Sequence, residues 1–233
     1  MLLYIIRHGD PDYKTDSLTQ KGAAQAEAVG KRLFDSGIQQ IYSSPMGRAR
    51  QTAAPACRLL GLPCQIEPWA HEIPESQMSS PAPSGTALYN FQNTCFLENG
   101  NVDISRREAL TCPHFNESQI AEAVEKIRNG GRDFLERLGY REEKGIYRIL
   151  HHNEDKVALF CHAAMARTWI SLLLNIPTHI MWASFSITHT GVTILEFKNN
   201  PNGITAPQCL CYSDLGHLYK QELEMSYNNK LLI

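Results

Sequence analysis

The chain has 233 residues, long enough for one large α/β domain with an insertion and for a substantial hydrophobic core. Hydrophobic residues make up 43% of the chain and charged residues 20%, which are ordinary proportions for a soluble globular protein. The formal net charge of -2 argues against a nucleic-acid-binding protein, because such proteins usually carry a basic excess. Any positive potential must therefore be local, as in a pocket for an anion.

Cysteine usage and hydropathy indicate where the protein is found. The 7 cysteines are scattered without a Cys-x-x-Cys pair, which favours free thiols in a reducing cytoplasm. The apolar run at the N-terminus is too short for a signal peptide and lacks a basic region before it. The most apolar stretch, residues 169–174, is far too short to span a membrane. We therefore expect a cytoplasmic protein with neither a nucleic-acid nor a membrane partner.

The first third of the chain alternates short apolar runs with helical patterns. The predicted elements are a strand over residues 2–6, a helix from Thr19 to about Phe34, a strand over residues 40–43, a helix over residues 46–60 and a strand over residues 64–66. Thr19 is the predicted N-cap of the first helix, which stops near Gly37. Ser44-Pro45 is the predicted cap of the second helix, and Gly61 closes it. This alternation is typical of βαβ units on a largely parallel sheet.

The alternation of strand and helix patterns is absent between Pro74 and about Asn116, where Pro, Gly and Ser residues predict a long loop. The elements predicted beyond it are an amphipathic helix from Ile120 to Leu138, a strand over residues 157–161, a helix over residues 163–174 and strands over residues 192–197 and 208–212. Gly130-Gly131 weakens the middle of the amphipathic helix. The sequence thus predicts a single domain over residues 1–233 with an insertion or cap at about 74–140. Residues 218–233 remain unassigned.

Charged and imidazole side chains follow three of the predicted strands. His8 follows the first strand within Arg7-His8-Gly9, Arg48 lies in the first turn of the helix after the second strand, and His162 follows the strand over residues 157–161. Open α/β sheets bind their ligands at the carboxyl ends of the strands. Arginine donates a fork of hydrogen bonds to phosphate, a neutral imidazole can act as a nucleophile, and helix N-termini favour anions. The sequence therefore predicts a phosphoryl site at this edge.

Four segments resemble the histidine phosphatase family, also called the phosphoglycerate mutase-like family. They are Leu3 to His8, Leu18-Thr19-x-x-Gly22-x-x-Gln25-Ala26, Ser43-Ser44-Pro45-x-x-Arg48-Ala49-x-Gln51-Thr52-Ala53, and the strand followed by His162. The resemblance covers the first third of the chain and about residues 157–197, whereas the middle matches poorly. It implies a three-layer α/β/α sandwich with a largely parallel central sheet, and chemistry that needs no metal or other cofactor.

Carried over residue by residue, the resemblance implies that His8 is the nucleophile that forms a phosphohistidine. Arg7, Arg48 and His162 then hold the phosphoryl oxygens, with His162 counted among the catalytic residues. Glu72 follows the third strand, where the family places its proton donor. One carboxyl group can protonate the leaving oxygen and later activate water, which general acid–base catalysis makes worth roughly 10²–10⁴-fold in rate. A surface carboxylate before a loop is the alternative interpretation of Glu72.

Two regions depart from the family pattern or leave substrate contacts open. After Gly9 the family often has Glu or Gln, then Thr or Ser, and further along an Asn that contacts phosphate. Here the run is Asp10-Pro11-Asp12-Tyr13-Lys14, and Lys14 stands about where that Asn would be, so it could supply a cation. His189-Thr190 precedes a strand that could flank the pocket, although surface or capping roles are more common for such residues. Lys14 and Thr190 are therefore the candidate substrate-binding residues.

The leading hypothesis is a phosphatase that hydrolyses a small phosphorylated metabolite through a phosphohistidine. A mutase, which returns the phosphoryl group to another hydroxyl, is the alternative, and Arg106-Arg107 faintly resembles the paired arginine of mutases. A non-catalytic phospho-ligand-binding protein would lack one of the site residues, yet all are present. A metal-dependent hydrolase is the weakest alternative, because no metal-ligand spacing such as His-Glu-x-x-His occurs. Glu75 is the second candidate for the acid, and a homodimer is compatible with the sequence.

Overall fold

The computed structural model describes residues 1–74 and 120–225 of the chain, without the side chain of Ile120. Its strands are β1 (Leu2–Arg7), β2 (Pro11–Asp12), β3 (Ser17–Leu18), β4 (Gln40–Ser43), β5 (Cys64–Ile66), β6 (Tyr140–Glu143), β7 (Ile146–Ile149), β8 (Lys156–Cys161), β9 (Val192–Glu196), β10 (Ile204–Thr205) and β11 (Gln208–Asp214). Its α-helices are α1 (Gln20–Ser36), α2 (Gly47–Leu60), α3 (Ile120–Arg137), α4 (Ala163–Leu173), α5 (Thr178–Ser184) and α6 (Gly216–Lys220), and a 3₁₀ turn spans Pro68–Ala70.

A six-stranded sheet in the order β11-β9-β1-β8-β4-β5 forms the middle layer. The strands β1, β8, β4 and β5 run parallel to one another, whereas β9 runs antiparallel to both β1 and β11. The sheet is therefore largely parallel, and the carboxyl ends of β1, β4 and β8 meet at one edge. Helices cover both faces, which confirms the predicted three-layer α/β/α sandwich.

Two hydrophobic cores lie on opposite faces of this sheet because successive strand side chains point to opposite sides. Along β1, Leu3 and Ile5 pack into one core with residues of α3 and α4, while Tyr4 and Ile6 pack into the other with residues of α1 and α2. Burial on both faces explains why β1 and β8 are continuous apolar runs instead of alternating ones. The sheet is thus a rigid base for the residues that follow its strand ends.

The predicted elements of the first third occur with small changes at their ends. The Thr19 hydroxyl accepts a hydrogen bond from the Gly22 amide as the N-cap of α1, and Gly37 ends that helix with a left-handed φ of 69°. The second helix differs from its prediction at the start. It begins at Gly47 after Met46, which makes no side-chain capping bond, so the predicted cap at Ser44-Pro45 is wrong. The strand and helix predicted after residue 156 occur as β8 and α4.

Several described elements were not predicted. They are the short pair β2–β3, the hairpin β6–β7, helix α5, strand β10 and helix α6. Residues 75–119, which make up most of the predicted insertion, lie outside the described residues, so the division of the chain into one domain with a cap stays a prediction. Helix α3 packs beside α4 in the same core. Within the described ranges, no helix is long and apolar enough to cross a membrane.

Candidate active site

His8 lies directly beyond the end of β1, between the two neighbouring strands. Its amide donates to the Cys161 carbonyl at 2.9 Å, and its own carbonyl accepts from the Thr190 amide at 3.2 Å. The imidazole is 1% exposed, and its Nδ1 lies 2.7 Å from the Gly9 carbonyl oxygen. Because a carbonyl oxygen can only accept, Nδ1 carries the proton in this contact and the lone pair is on Nε2. The fold thereby holds His8 in the tautomer that makes Nε2 a nucleophile.

The surroundings of His8 also keep its ring neutral. Burial lowers the pKa of His8 well below its usual value, and the positive charge of Arg7 lowers it further. A protonated imidazole has no lone pair to attack with, so a low pKa extends the nucleophilic form to acidic pH. The next residue, Gly9, has no room for a side chain, because a β-carbon there would lie 2.7 Å from the Gly22 carbonyl oxygen. The turn after His8 therefore packs directly on the start of α1.

His162 follows β8 and is the N-cap residue of α4. Its ring centroid lies 5.1 Å from that of His8, and its Nε2 lies 2.7 Å from Ser44 Oγ. The other nitrogen, Nδ1, is buried without a hydrogen-bond partner among the described residues. Burial is the main reason why the pKa of His162 is well below its usual value, followed by the charge of Arg48. A buried nitrogen without a hydrogen-bond partner among the described residues, beside the His8 ring, suits contact with a bound group.

Two buried arginines complete the polar cluster. Arg7 is 6% exposed and donates from Nη1 to the Ile187 carbonyl at 2.7 Å, and burial lowers its pKa. Arg48 is 5% exposed and pairs with Asp16 through Nη1. Both arginines contribute to the lowered pKa values of His8 and His162, so the four groups form one positive site. Asp16 balances the charge of Arg48, and the donor geometry of guanidinium groups fits the oxygens of a phosphoryl group.

Glu72 lies beside His162 at the N-terminus of α4. Its two carboxylate oxygens accept hydrogen bonds from the amides of Ile73 at 3.0 Å, Met165 at 3.0 Å and Ala164 at 3.3 Å. The positive end of a helix dipole is a favourable setting for a carboxylate. The Glu72 side chain is half-buried, so water or a ligand can still reach it. The structure thus brings Glu72 to the same sheet edge as the histidines and arginines.

The structure places the two candidate substrate-binding residues differently. Lys14 is exposed in the loop between β2 and β3, where its amide donates to Asp12 Oδ1 at 3.0 Å. Thr190 is buried, and its hydroxyl donates to the His189 carbonyl at 2.7 Å and lies 3.0 Å from His217 Nε2. The Thr190 side chain is therefore already held by the fold. Both roles stay predictions, and Glu75 and Arg106-Arg107 lie outside the described residues.

Three further residues also lie beside the site, and the sequence assigned none of them a role there. The His189 ring, which the sequence named only as able to flank the pocket, is 5.6 Å from that of His8, and its Nδ1 lies 3.6 Å from Asp10 Oδ1. Burial, followed by the charge of Arg7, lowers the pKa of His189 to about 3. Tyr13 and Asp16 contact the arginines from the loop between β2 and β3. The departure of residues 10–14 from the family pattern was the available signal for Tyr13.

The chain is similar in sequence to known proteins. Residues 3–80 and 106–208 match the family model of the histidine phosphatase superfamily, branch 1. The chain belongs to this superfamily. A probable phosphoglycerate mutase of Erwinia tasmaniensis is 34% identical over 80 residues, which are 30% of this chain and only 37% of that relative. A probable phosphoglycerate mutase of Yersinia pestis is 26% identical over 187 residues, which are 76% of each chain.

Solved structures of histidine phosphatase fold proteins share the architecture. Phosphoserine phosphatase of Entamoeba histolytica, solved in complex with 3-phosphoglyceric acid, superposes with a TM-score of 0.61 at 21% identity. That match covers 93% of this chain and 98% of the other. A mycobacterial glucosyl-3-phosphoglycerate phosphatase superposes with a TM-score of 0.59 at 18% identity, covering 91% and 98%. At these sequence identities the similarity establishes only the shared fold. The superfamily has both phosphatase and mutase members.

Proposed function

We propose that this histidine phosphatase superfamily member is a phosphatase that hydrolyses a small-molecule phosphomonoester through a phosphohistidine at His8. The observation that carries the proposal is the tautomer of His8. Its Nδ1 is committed to the Gly9 carbonyl, which makes Nε2 the nucleophilic nitrogen inside a cluster of two buried arginines and a second buried histidine. A neutral nucleophile surrounded by positive charge suits attack on a dianionic phosphate ester.

In the first half of the proposed reaction, Arg7, Arg48 and His162 bind the non-bridging phosphoryl oxygens. His8 Nε2 attacks phosphorus in line with the ester oxygen, a nitrogen–phosphorus bond forms, and the phosphorus–oxygen ester bond breaks. The leaving oxygen takes a proton from the Glu72 carboxyl group and departs as an alcohol. The arginines stabilise the charge that spreads over the equatorial oxygens during the transfer.

In the second half, a water molecule attacks the phosphohistidine. Glu72, now a carboxylate, accepts a proton from that water as the nitrogen–phosphorus bond breaks. Inorganic phosphate leaves, and His8 regains its neutral form. The three backbone amides that hold Glu72 fix its orientation in both halves, which is the usual requirement for a residue that acts first as an acid and then as a base.

The alternative is a phosphoglycerate mutase-type reaction, in which the phosphoryl group returns to a second hydroxyl of the substrate. The relatives found by sequence are named as probable phosphoglycerate mutases, which favours the mutase reaction. The similar solved structures are named as phosphatases, which favours hydrolysis. Both reactions would use the same phosphohistidine, so they differ only in whether water or a substrate hydroxyl accepts the phosphoryl group. We favour the phosphatase because no mutase-specific sequence is recognisable. We also propose a cytoplasmic protein that acts on a phosphorylated metabolite.

A panel of phosphorylated metabolites distinguishes these reactions. We expect inorganic phosphate release from at least one member of the panel, no isomerised product, and no turnover by the His8→Ala variant. Activity should survive dialysis against a chelator, because the proposed steps use only side chains of this chain. Isomer formation without phosphate release would make the protein a mutase. Loss of activity that only added metal restores would replace the proposal by a metal-dependent hydrolase.

A further inference from the structure

The loop between β2 and β3 is fixed to the protein on both sides of Tyr13. Before it, the Asp10 amide donates to Gln25 Oε1 at 2.8 Å, and Asp10 Oδ2 accepts from the Thr19 hydroxyl at 2.7 Å. After it, Asp16 Oδ2 accepts from the Gly47 amide at 2.6 Å. The position of Tyr13 therefore follows from a built loop that is anchored to α1 and α2.

Asp16 is held in a backbone conformation that most residues avoid. Its φ is 49°, and a β-carbon at Gly47 would lie 2.2 Å from its carbonyl oxygen, so the loop and the start of α2 are in direct contact. Although burial raises the pKa of Asp16, the hydrogen bonds from Gly47 and Arg48 outweigh it and lower that pKa. Asp16 thus stays a carboxylate that orients the Arg48 guanidinium. The same loop therefore supplies two residues, Tyr13 and Asp16, that contact Arg48.

Tyr13 contacts both arginines of the site. The Arg48 guanidinium carbon lies 5.4 Å from the centroid of the Tyr13 ring, within the range of a cation–π contact. Interaction with Tyr13 raises the pKa of Arg7 against the larger, lowering effect of burial. Since arginine has only donors, the phenol oxygen can only accept from Arg7 and its own hydrogen stays available for a different acceptor. The hydroxyl therefore lies where a group bound by Arg7 would be within its reach.

The exposure of Tyr13 shows that it does not support the core. The residue is 67% exposed, and burial of apolar area is the main way in which aromatic residues stabilise a fold. Its contacts are instead to the two side chains that would hold the phosphoryl group. Lys14, the neighbouring residue that the sequence favoured for a substrate contact, is also exposed.

We propose that Tyr13 is a phosphoryl-binding residue, whose hydroxyl donates a hydrogen bond to a non-bridging phosphoryl oxygen while its ring covers Arg48. The inference rests on the proposed function, because it uses the same phosphate site. The ring itself is largely exposed, whereas Arg48, which it contacts, is 5% exposed. The Tyr13 hydroxyl thus adds a neutral donor to a cluster whose other donors are arginines and a histidine.

The test compares Tyr13→Phe with Tyr219→Phe, which makes the same change at another exposed tyrosine, 75% exposed on α6. The probe is inorganic phosphate, titrated calorimetrically and used as an inhibitor of phosphomonoester hydrolysis. A hydrogen bond to a charged group corresponds to a loss of about 10-fold or more, so Tyr13→Phe should weaken phosphate binding and lower kcat/KM by about that factor. Tyr219→Phe should match the wild type in both measurements. Both variants should fold, because both tyrosines are largely exposed.

Equal phosphate affinity in Tyr13→Phe and the wild type would overturn the inference. Tighter phosphate binding or faster turnover in Tyr13→Phe would also overturn it, because the tyrosine would then obstruct the site. The phosphate titration separates this outcome from failure of the proposed function. A wild-type protein that binds phosphate but hydrolyses no ester would contradict the phosphatase, while the comparison of the two variants would still test Tyr13.

Discussion

His8 and His162 differ in which ring nitrogen is hydrogen-bonded to the protein, and their proposed roles follow from that difference. His8 is bonded through Nδ1 to the Gly9 carbonyl, so Nε2 has the lone pair. His162 is bonded through Nε2 to Ser44, and its buried Nδ1 has no partner among the described residues. A carbonyl fixes a tautomer, whereas a hydroxyl can donate or accept. In the proposed reaction, His8 is therefore a nucleophile with a fixed tautomer, and His162 can adjust its proton to a bound phosphoryl group.

The role of Glu72 is tested by Glu72→Gln, which keeps the shape but removes the transferable proton. With an alkyl phosphate, whose leaving alkoxide is poor, we expect the rate to fall by roughly 10²–10⁴-fold. With an aryl phosphate the leaving phenolate needs less help, so release of the phenol should fall less and phosphoenzyme should accumulate. Rapid-mixing measurements of phenol release and of trapped phosphoenzyme check both expectations. Equal and small losses with both substrates would mean that the acid is elsewhere, and Glu75 would be tested next.

Most of the candidate site could be predicted from residues that follow strands. His8, Arg48 and His162 are found this way because parallel strands bring their carboxyl ends to one edge. The sequence named His189 only as a residue that could flank the pocket. It could not place His189 beside His8, because β9 runs antiparallel to β1 and this puts the residues before β9 beside those after β1. A strand predicted from periodicity has no direction relative to its neighbours. The contacts of Tyr13 depend on turn geometry, which the sequence of the loop does not specify.

At the scale of elements, Gly130 and Gly131 show why a local signal can mislead. In the sequence they weaken the middle of a predicted helix, yet α3 is continuous across them. A β-carbon at Gly130 would lie 2.2 Å from Trp69 Cβ, and one at Gly131 would lie 2.3 Å from Trp169 Nε1. The two glycines therefore let α3 approach both indole side chains. Close packing outweighs a helix-propensity cost of about 1 kcal/mol per glycine.

We expect Gly131→Ala to destabilise the protein although alanine is the better helix former. Overpacking against the buried Trp169 ring should cost about 1–3 kcal/mol in the free energy of unfolding, as for other insertions into well-packed cores. Asn129→Ala is the matched control, because residue 129 is exposed on the same helix and should gain a few tenths of a kcal/mol at about the propensity difference. Urea unfolding measures both. A stabilised Gly131→Ala variant would contradict this account of the helix contact.

The hairpin β6–β7 was missed for a different physical reason. Its strands carry Arg and Glu side chains that pair on the exposed surface, such as Arg148 with Glu143, so the apolar alternation that predicts strands is absent. The turn is Lys144-Gly145, with φ values of 54° and 84°. Both φ values are positive, as in the tight hairpin turns that usually contain Asn-Gly or Asp-Gly. A lysine in the first position is a weak signal of such a turn.

At the scale of the whole molecule, buried histidines link stability to pH. Four of them have pKa values below the usual value near 6.5, with burial as the main cause in each: His8, His162, His189 at about 3 and His217 at about 4. Above that value both the folded and the unfolded state are neutral at these sites. As pH falls below it, the unfolded state binds protons that the folded state does not, so the free energy of unfolding falls.

Each such histidine can change the free energy of unfolding by at most about 1.4 kcal/mol per pH unit. We expect the free energy of unfolding to fall between about pH 6.5 and pH 5, and His217→Gln to reduce that slope by the share of one histidine. His152→Gln, the same substitution at a side chain that is 67% exposed, is the control. Urea titrations across this range measure the slope. An unchanged slope in His217→Gln would show that burial does not suppress protonation of His217.

The central claim is that the phosphoryl group passes through His8, and trapping the phosphoenzyme tests it most directly. Wild-type protein mixed with a phosphomonoester that it hydrolyses is quenched in alkali, where phosphohistidine survives, and the modified peptide is mapped by mass spectrometry. We expect one phosphoryl group on the peptide that contains His8, its loss on brief acid treatment, and its absence in His8→Ala together with the absence of turnover. A phosphoryl group on another residue, or wild-type turnover by His8→Ala, would contradict the account.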